Sequence, residues 1–78
     1  MLKKGKYQHY KGDMYEVIGM AHHTETKSPM VLYKALYEIP ELTKIYGEPV
    51  IFTRPYNMFI ENVIIDNIEV PRFKLIEN

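Results

Sequence analysis

Three histidines, seven tyrosines and two arginines that each adjoin a proline are the side chains of this chain with chemistry to offer beyond folding. His22-His23-Thr24-Glu25 sets two imidazoles and a carboxylate close together. That donor set suits zinc or another divalent ion, with His9 as a third ligand if a hairpin brings it near. Adjacent strand residues point to opposite faces, so both imidazoles serve one ion only where the chain turns. Solvated loop residues are the favoured reading, and no metal or other cofactor is assigned. His23 with Glu25 also has the outline of an acid–base pair, because histidine titrates near neutral pH and a carboxylate can orient it. Neither a nucleophile pattern nor a glycine-rich phosphate cradle accompanies it. Thr24 and Glu25 bonding to loop backbone groups is the plainer use of these residues.

Most of the tyrosines fall in strand-like segments, where rings pack inward and hydroxyls reach the rim. Where Tyr10 and Tyr33 share a face with Arg54, that surface becomes a binding platform. Aromatic rings beside cations suit single-stranded nucleic acid, and an aromatic groove suits an extended peptide. Arg54 and Arg72 pair structurally with Glu61, Glu69 or Glu16, or else anchor a carboxylate or phosphate. Arg72 reads as structural, while Arg54 is open to both readings.

These residues must be positioned by short strands. Lys6–Tyr10 and Met14–Ala21 flank the turn residues Lys11-Gly12-Asp13 and predict an antiparallel hairpin. Gly19, isolated inside the second strand, predicts a bulge or a close backbone approach. Met30–Tyr37 predicts a third strand with apolar residues on both faces, hence a central one. Pro40–Tyr46 admits one short helix, with proline in its first turn and Gly47 after its end. Pro49–Thr53 predicts a fourth strand, followed by a single 3₁₀ turn after Pro55. Ile60–Ile65 and Ile68–Leu75 predict a hairpin about Asp66-Asn67, with Pro71 as an edge or kink. The expected fold is all-β: a small SH3-like, partly open barrel of five to six antiparallel strands, forming one domain over residues 1–78.

Ten basic and ten acidic residues cancel. That argues against a general polyanion binder, which must neutralise many phosphates. Cysteine is absent, which removes disulfides and thiolate metal sites. No apolar run has the length of a membrane span, and no apolar stretch follows Met1-Leu2-Lys3-Lys4 as it would in a signal peptide. The chain reads as cytoplasmic, with no membrane partner.

The segments GKYQHYKGDMYEVIGMAHHTET, VLYKALY, RPYNMFIENV and VPRF resemble the DUF1653 family, a small domain of unknown function. The family pattern resembles G-x-Y-x-H-Y-K-G, Y-E-V-x-G-x-A, H-S-E-T, R-P-x-x-M-F and P-R-F, in that order. This chain departs with His22 where arginine is usual and Thr24 where serine is usual, and its segment from Glu38 to Pro49 is longer. The resemblance implies a compact bacterial cytoplasmic domain and brings no activity with it.

The resulting expectation is a non-enzymatic binding module that recognises a protein segment. RNA or single-stranded DNA on the same aromatic and basic face is the alternative, and an enzyme using His23 and Glu25 the third reading. The expected contact residues are His9, Tyr10, His23, Glu25, Tyr33 and Arg54. The first four are placed at one rim, because an antiparallel hairpin brings the far end of its second strand back to the first.

Overall fold

The structure, a computed structural model, describes residues 2–78. Alternation sets its first element: in β1 (Gly5–His9) Tyr7 points inward and is buried, and Lys6 and Gln8 take the opposite face. His9 closes the following turn from both sides. Its N–H donates to Asp13 O at 2.8 Å, and its carbonyl accepts Gly12 N–H at 2.7 Å. Gly12 adopts φ 110°, where a side chain would be strained. The chain then returns as β2 (Met14–His22), with Tyr7 opposite Tyr15 and Gly5 opposite Val17.

Against β3 (Pro29–Ala35) the register of β2 slips between Val17 and Gly19, leaving Ile18 as the extra residue. The predicted bulge is there. Its effect is a change of phase: Val17 faces the core before it and Met20 packs against the core after it. β4 (Ile51–Pro55) pairs with the other edge of β3, so β3 is central as expected. Between them α1 (Pro40–Tyr46) starts on its proline and stops before Gly47, which takes φ 80°. None of its residues is buried, and Tyr46 is 71% exposed.

The segment after Pro55 corrects the expectation of a 3₁₀ turn. Tyr56–Ile60 forms a short α-helix, α2, entered from the extended geometry of Pro55 (φ −54°, ψ 139°). The helix is fixed by Phe59, which is fully buried. β5 (Asn62–Ile65) and β6 (Ile68–Pro71) then form the expected hairpin. Asp66 and Asn67 adopt φ 51° and 65°, the left-handed pair that a two-residue turn of this hand requires.

The predicted strand Ile68–Leu75 is in fact two. At Arg72 the chain leaves the hairpin, and β7 (Phe73–Glu77) pairs antiparallel with β1. Pro71, which lacks a donor, ends the first of these pairings. Among the described residues seven strands therefore stand where five to six were expected. They form an antiparallel five-stranded sheet in the order β4-β3-β2-β1-β7 and the separate β5–β6 hairpin. The large sheet does not close, and β4 and β7 are its edges.

On its inner face Tyr7, Val17, Val31, Tyr33 and Phe73 surround Phe59 and form the core. Phe59 stacks on Phe73 with ring centroids 4.1 Å apart and meets Tyr7 and Tyr33 edge-on at 5.5 and 5.3 Å. Among the described residues no helix is long and apolar enough to cross a membrane.

Candidate functional site

The inner face of the sheet carries more aromatic rings than the core covers. Tyr15 and Phe52 lie at its half-buried end, edge-on to one another at 6.2 Å, and both pack against the buried Tyr33. Tyr15 donates to or accepts from Tyr37 through their hydroxyls at 2.7 Å. Burial, then that hydrogen bond and the neighbouring acidic groups, hold the Tyr15 hydroxyl far above its ordinary range, so it stays protonated.

Arg54 enters this basin from the edge strand β4. Its Nε donates to Tyr33 Oη at 3.3 Å, and its Cζ lies over the Phe73 ring, 5.5 Å from the centroid. Phe59 takes one face of that ring, which leaves the other to the guanidinium. Among the described residues no carboxylate stands within ion-pair distance of Arg54, whereas Arg72 Nη2 meets Glu61 Oε1 at 2.8 Å. The Arg72 backbone N–H also donates to Glu61 O at 3.1 Å, so this pair clamps the base of the β5–β6 hairpin. Arg72 is thus structural, and Arg54 is held without being neutralised.

His9 sits where the basin meets a groove. Its ring contacts Tyr10 at 4.5 Å, Phe73 at 5.0 Å and Tyr15 at 6.5 Å between centroids. Its Nδ1 accepts the Lys11 N–H at 3.2 Å, which leaves the proton of the neutral ring on Nε2. The pKa of His9 is lowered by burial first, then by the cations Arg54, Arg72 and Lys11, against an opposing effect of Asp13.

A depressed histidine pKa means that the unfolded chain binds the proton first as pH falls. The contribution of His9 is therefore intact above about pH 6.5 and is lost progressively as pH drops through its lower folded value. Thermal melts from pH 7.5 to 5 are expected to show a decline that is shallower in His9→Asn. An identical slope in the variant would show that His9 contributes none of it.

Beside His9 lies a groove of about 410 Å³ between the β1–β2 turn and the β5–β6 hairpin, with Tyr10, Ile65, Val70 and Pro71 among its walls. Val63, Ile65, Ile68 and Val70 share one face of that hairpin by register, and Ile68 is 64% exposed. A second cleft of about 560 Å³ lies between the end of β3 and α1, bordered by Tyr37.

Of the residues expected at one rim, His9 and Tyr10 stand together, and Arg54 and Tyr33 reach the same aromatic cluster as His9. Tyr33 is buried, so its ring serves the core and its hydroxyl reaches Arg54. The placement of His23 and Glu25 is corrected. His9 ends β1 opposite Asp13, and the ten steps from Asp13 to His23 would span about 33 Å in a fully extended strand. Gly5, the start of β1, stands opposite Val17, so β2 runs on past β1 to His22, while His9 is at the other end of β1.

His23 instead organises its own loop. Its Nδ1 accepts the N–H groups of Glu25 and Thr26, each at 3.2 Å, and its backbone bonds to Ser28 and Lys27. The partner it finds in Glu25 is the backbone N–H, and Glu25 forms no ion pair among the described residues. Nor do three His, Asp or Glu side chains gather anywhere among the described residues as a metal site would need. Tyr15, Phe52 and Phe73 escape a reading of the sequence because their convergence depends on strand pairing; only the proximity of Phe73 to Arg72 in the chain hints at a role.

A family model described as a protein of unknown function, DUF1653, matches residues 5–75. A crystal structure of a DUF1653 protein from Bordetella bronchiseptica superposes with a TM-score of 0.81 at 31% identity, covering 96% of this chain and 87% of that one. No curated protein matches the chain.

Proposed function

The chain belongs to the DUF1653 family, a family of unknown function, and from that premise we propose that it is a non-enzymatic binding module of SH3-like type whose partner is a protein segment. The observation that supports this is the groove between the β1–β2 turn and the β5–β6 hairpin. Its walls are formed by His9 and Tyr10 on one side and by Ile65, Val70 and Pro71 on the other. An apolar trough with one aromatic wall fits an extended peptide, whose alternate side chains enter the groove. At about 410 Å³ it is at the small end of ligand-sized clefts. The charges beside it are mixed: Lys74 lines it and Lys11 lies over Tyr10 at 5.8 Å, while Asp13 stands on the turn.

Nucleic acid is the second reading, because cations over Tyr10 and Phe73 resemble a stacking platform. A zero net charge weighs against it. Immobilised protein is to be exposed to bacterial lysate with and without nuclease. A protein captured in both arms, and lost with Val70→Asp at an unchanged melting temperature, supports the segment reading. Capture abolished by nuclease, or oligonucleotide binding that falls steeply with salt, would replace it with the second.

A further inference from the structure

Arg54 is a partly buried cation with no ion-pair partner among the described residues. Its Nε is committed to Tyr33 Oη and its flat face to Phe73, so the guanidinium is fixed in direction. No carboxylate among the described residues neutralises it, while the other arginine has Glu61. Half-buried charges are ordinarily paired, because desolvation without a partner is costly. A preorganised fork with free Nη groups is the geometry that receives a planar anion through two hydrogen bonds. His9 supplies a neutral donor beside the same Phe73 ring, since the Lys11 N–H on Nδ1 assigns the ring proton to Nε2. His9 and Arg54 both contact Phe73, which makes that ring the floor between them.

We infer that Arg54 and His9 form a seat for a single carboxylate, carried by a protein segment whose neighbouring apolar side chain occupies the groove past Tyr10. This rests on the segment reading above and adds the chemistry that the segment must bring. The alternatives fit less well. An aromatic basin can take a quaternary ammonium group, but the guanidinium repels one. A nucleic acid strand needs several phosphates neutralised, and the chain as a whole carries as many acidic as basic residues. One fork and one neutral donor match one carboxylate. The carboxylate has two sources, a chain terminus or an acidic side chain, and the chemistry is the same for both.

The test is an amide and side-chain nitrogen NMR titration of the unmodified chain. The probes are N-acetyl-leucine, N-acetyl-leucyl-aspartate α-amide with its side-chain carboxylate free, N-acetyl-leucinamide, inorganic phosphate and a short oligouridylate. At least one of the two carboxylate probes is expected to shift the Arg54 Nε–H and the Tyr10 amide saturably. Leucinamide should bind about tenfold or more weakly, as loss of a charge-assisted hydrogen bond requires. Which carboxylate binds identifies the source. Arg54→Gln should bring the acid and amide probes to equal affinity, and Arg54→Lys should restore only part of the difference. The acid–amide comparison on the unmodified chain stands even where a variant does not fold.

Equal binding of acid and amide overturns the seat and leaves the segment reading in place. Shifts by phosphate or oligouridylate at lower concentration than either carboxylate overturn both. No shift with any probe overturns the seat, and the lysate capture then judges the segment reading alone.

Discussion

Phe59→Ala is expected to lower the melting temperature by about 15–30 °C, enough to unfold much of the population at ambient temperature. Phe59 is 1% exposed and is the one side chain of α2 in the core. It stacks on Phe73 and meets Tyr7 and Tyr33 edge-on, so one ring joins β1, β3 and β7 on the inner face of the sheet. Removing a buried phenylalanine costs about 3–5 kcal/mol, because the site loses transfer energy and a cavity remains. A domain of this length is stable by roughly 4–12 kcal/mol in total. The five residues of α2 cannot hold a helix by themselves, so the cost is not recovered locally. Phe59→Leu should lose far less, about 1–2 kcal/mol, by keeping most of the volume. A melting temperature within a few degrees of the unmodified chain in Phe59→Ala would show that α2 does not plug the sheet.

Gly5→Ala is expected to be the next most damaging small change. Gly5 adopts φ 136°, a region that side chains resist. A Cβ there would also collide with Glu77 O and stand 2.8 Å from Asn78 Cα, both of them backbone atoms. Backbone strain and overpacking each cost about 1–3 kcal/mol, which predicts a fall of about 10–20 °C. The strain belongs to β1 and the collision to the end of β7. A chain carrying Gly5→Ala and ending at Leu75 should therefore regain part of the loss relative to the same truncation with glycine. Equal melting temperatures for the full chain with and without Gly5→Ala would contradict the close approach.

How much of this was legible in the residues depended on how far apart the partners stood. Local chemistry read correctly: Gly12 in its turn, Gly19 at the bulge, Pro40 and Gly47 bracketing α1, and Asp66-Asn67 turning the hairpin. Each is decided by a residue's own φ or by its immediate neighbours. The run from Ile68 to Leu75 misled because apolar continuity does not say that a strand changes partner midway, which it does at Arg72. The helical turn after Pro55 depends on the burial of Phe59, a tertiary fact.

The candidate site divides in the same way. His9, Tyr10 and Arg54 could be picked out as types suited to binding, but the aromatic floor that joins them, Phe73, lies near the other end of the chain and arrives only by strand pairing. His23 failed for a different reason. The two strands do run antiparallel, but His9 lies at the turn end of a five-residue strand, so the return of β2 passes it at the start and not at the finish.

The pairing of β1 with β7 has a consequence in time. A ribosome makes β1 first among the strands and β7 last, at about 5–20 residues per second. For the seconds between, one side of β1 has exposed N–H and C=O groups, the condition in which strands join the wrong neighbour. Phe73 is also missing during that interval, so Phe59 has no ring to stack on and Arg54 has none to lie over. A nascent chain that stops short of β7 can carry every one of His9, Tyr10 and Arg54 and still lack the surface on which they meet. Whatever docks against them can engage only a polypeptide whose synthesis has passed Phe73.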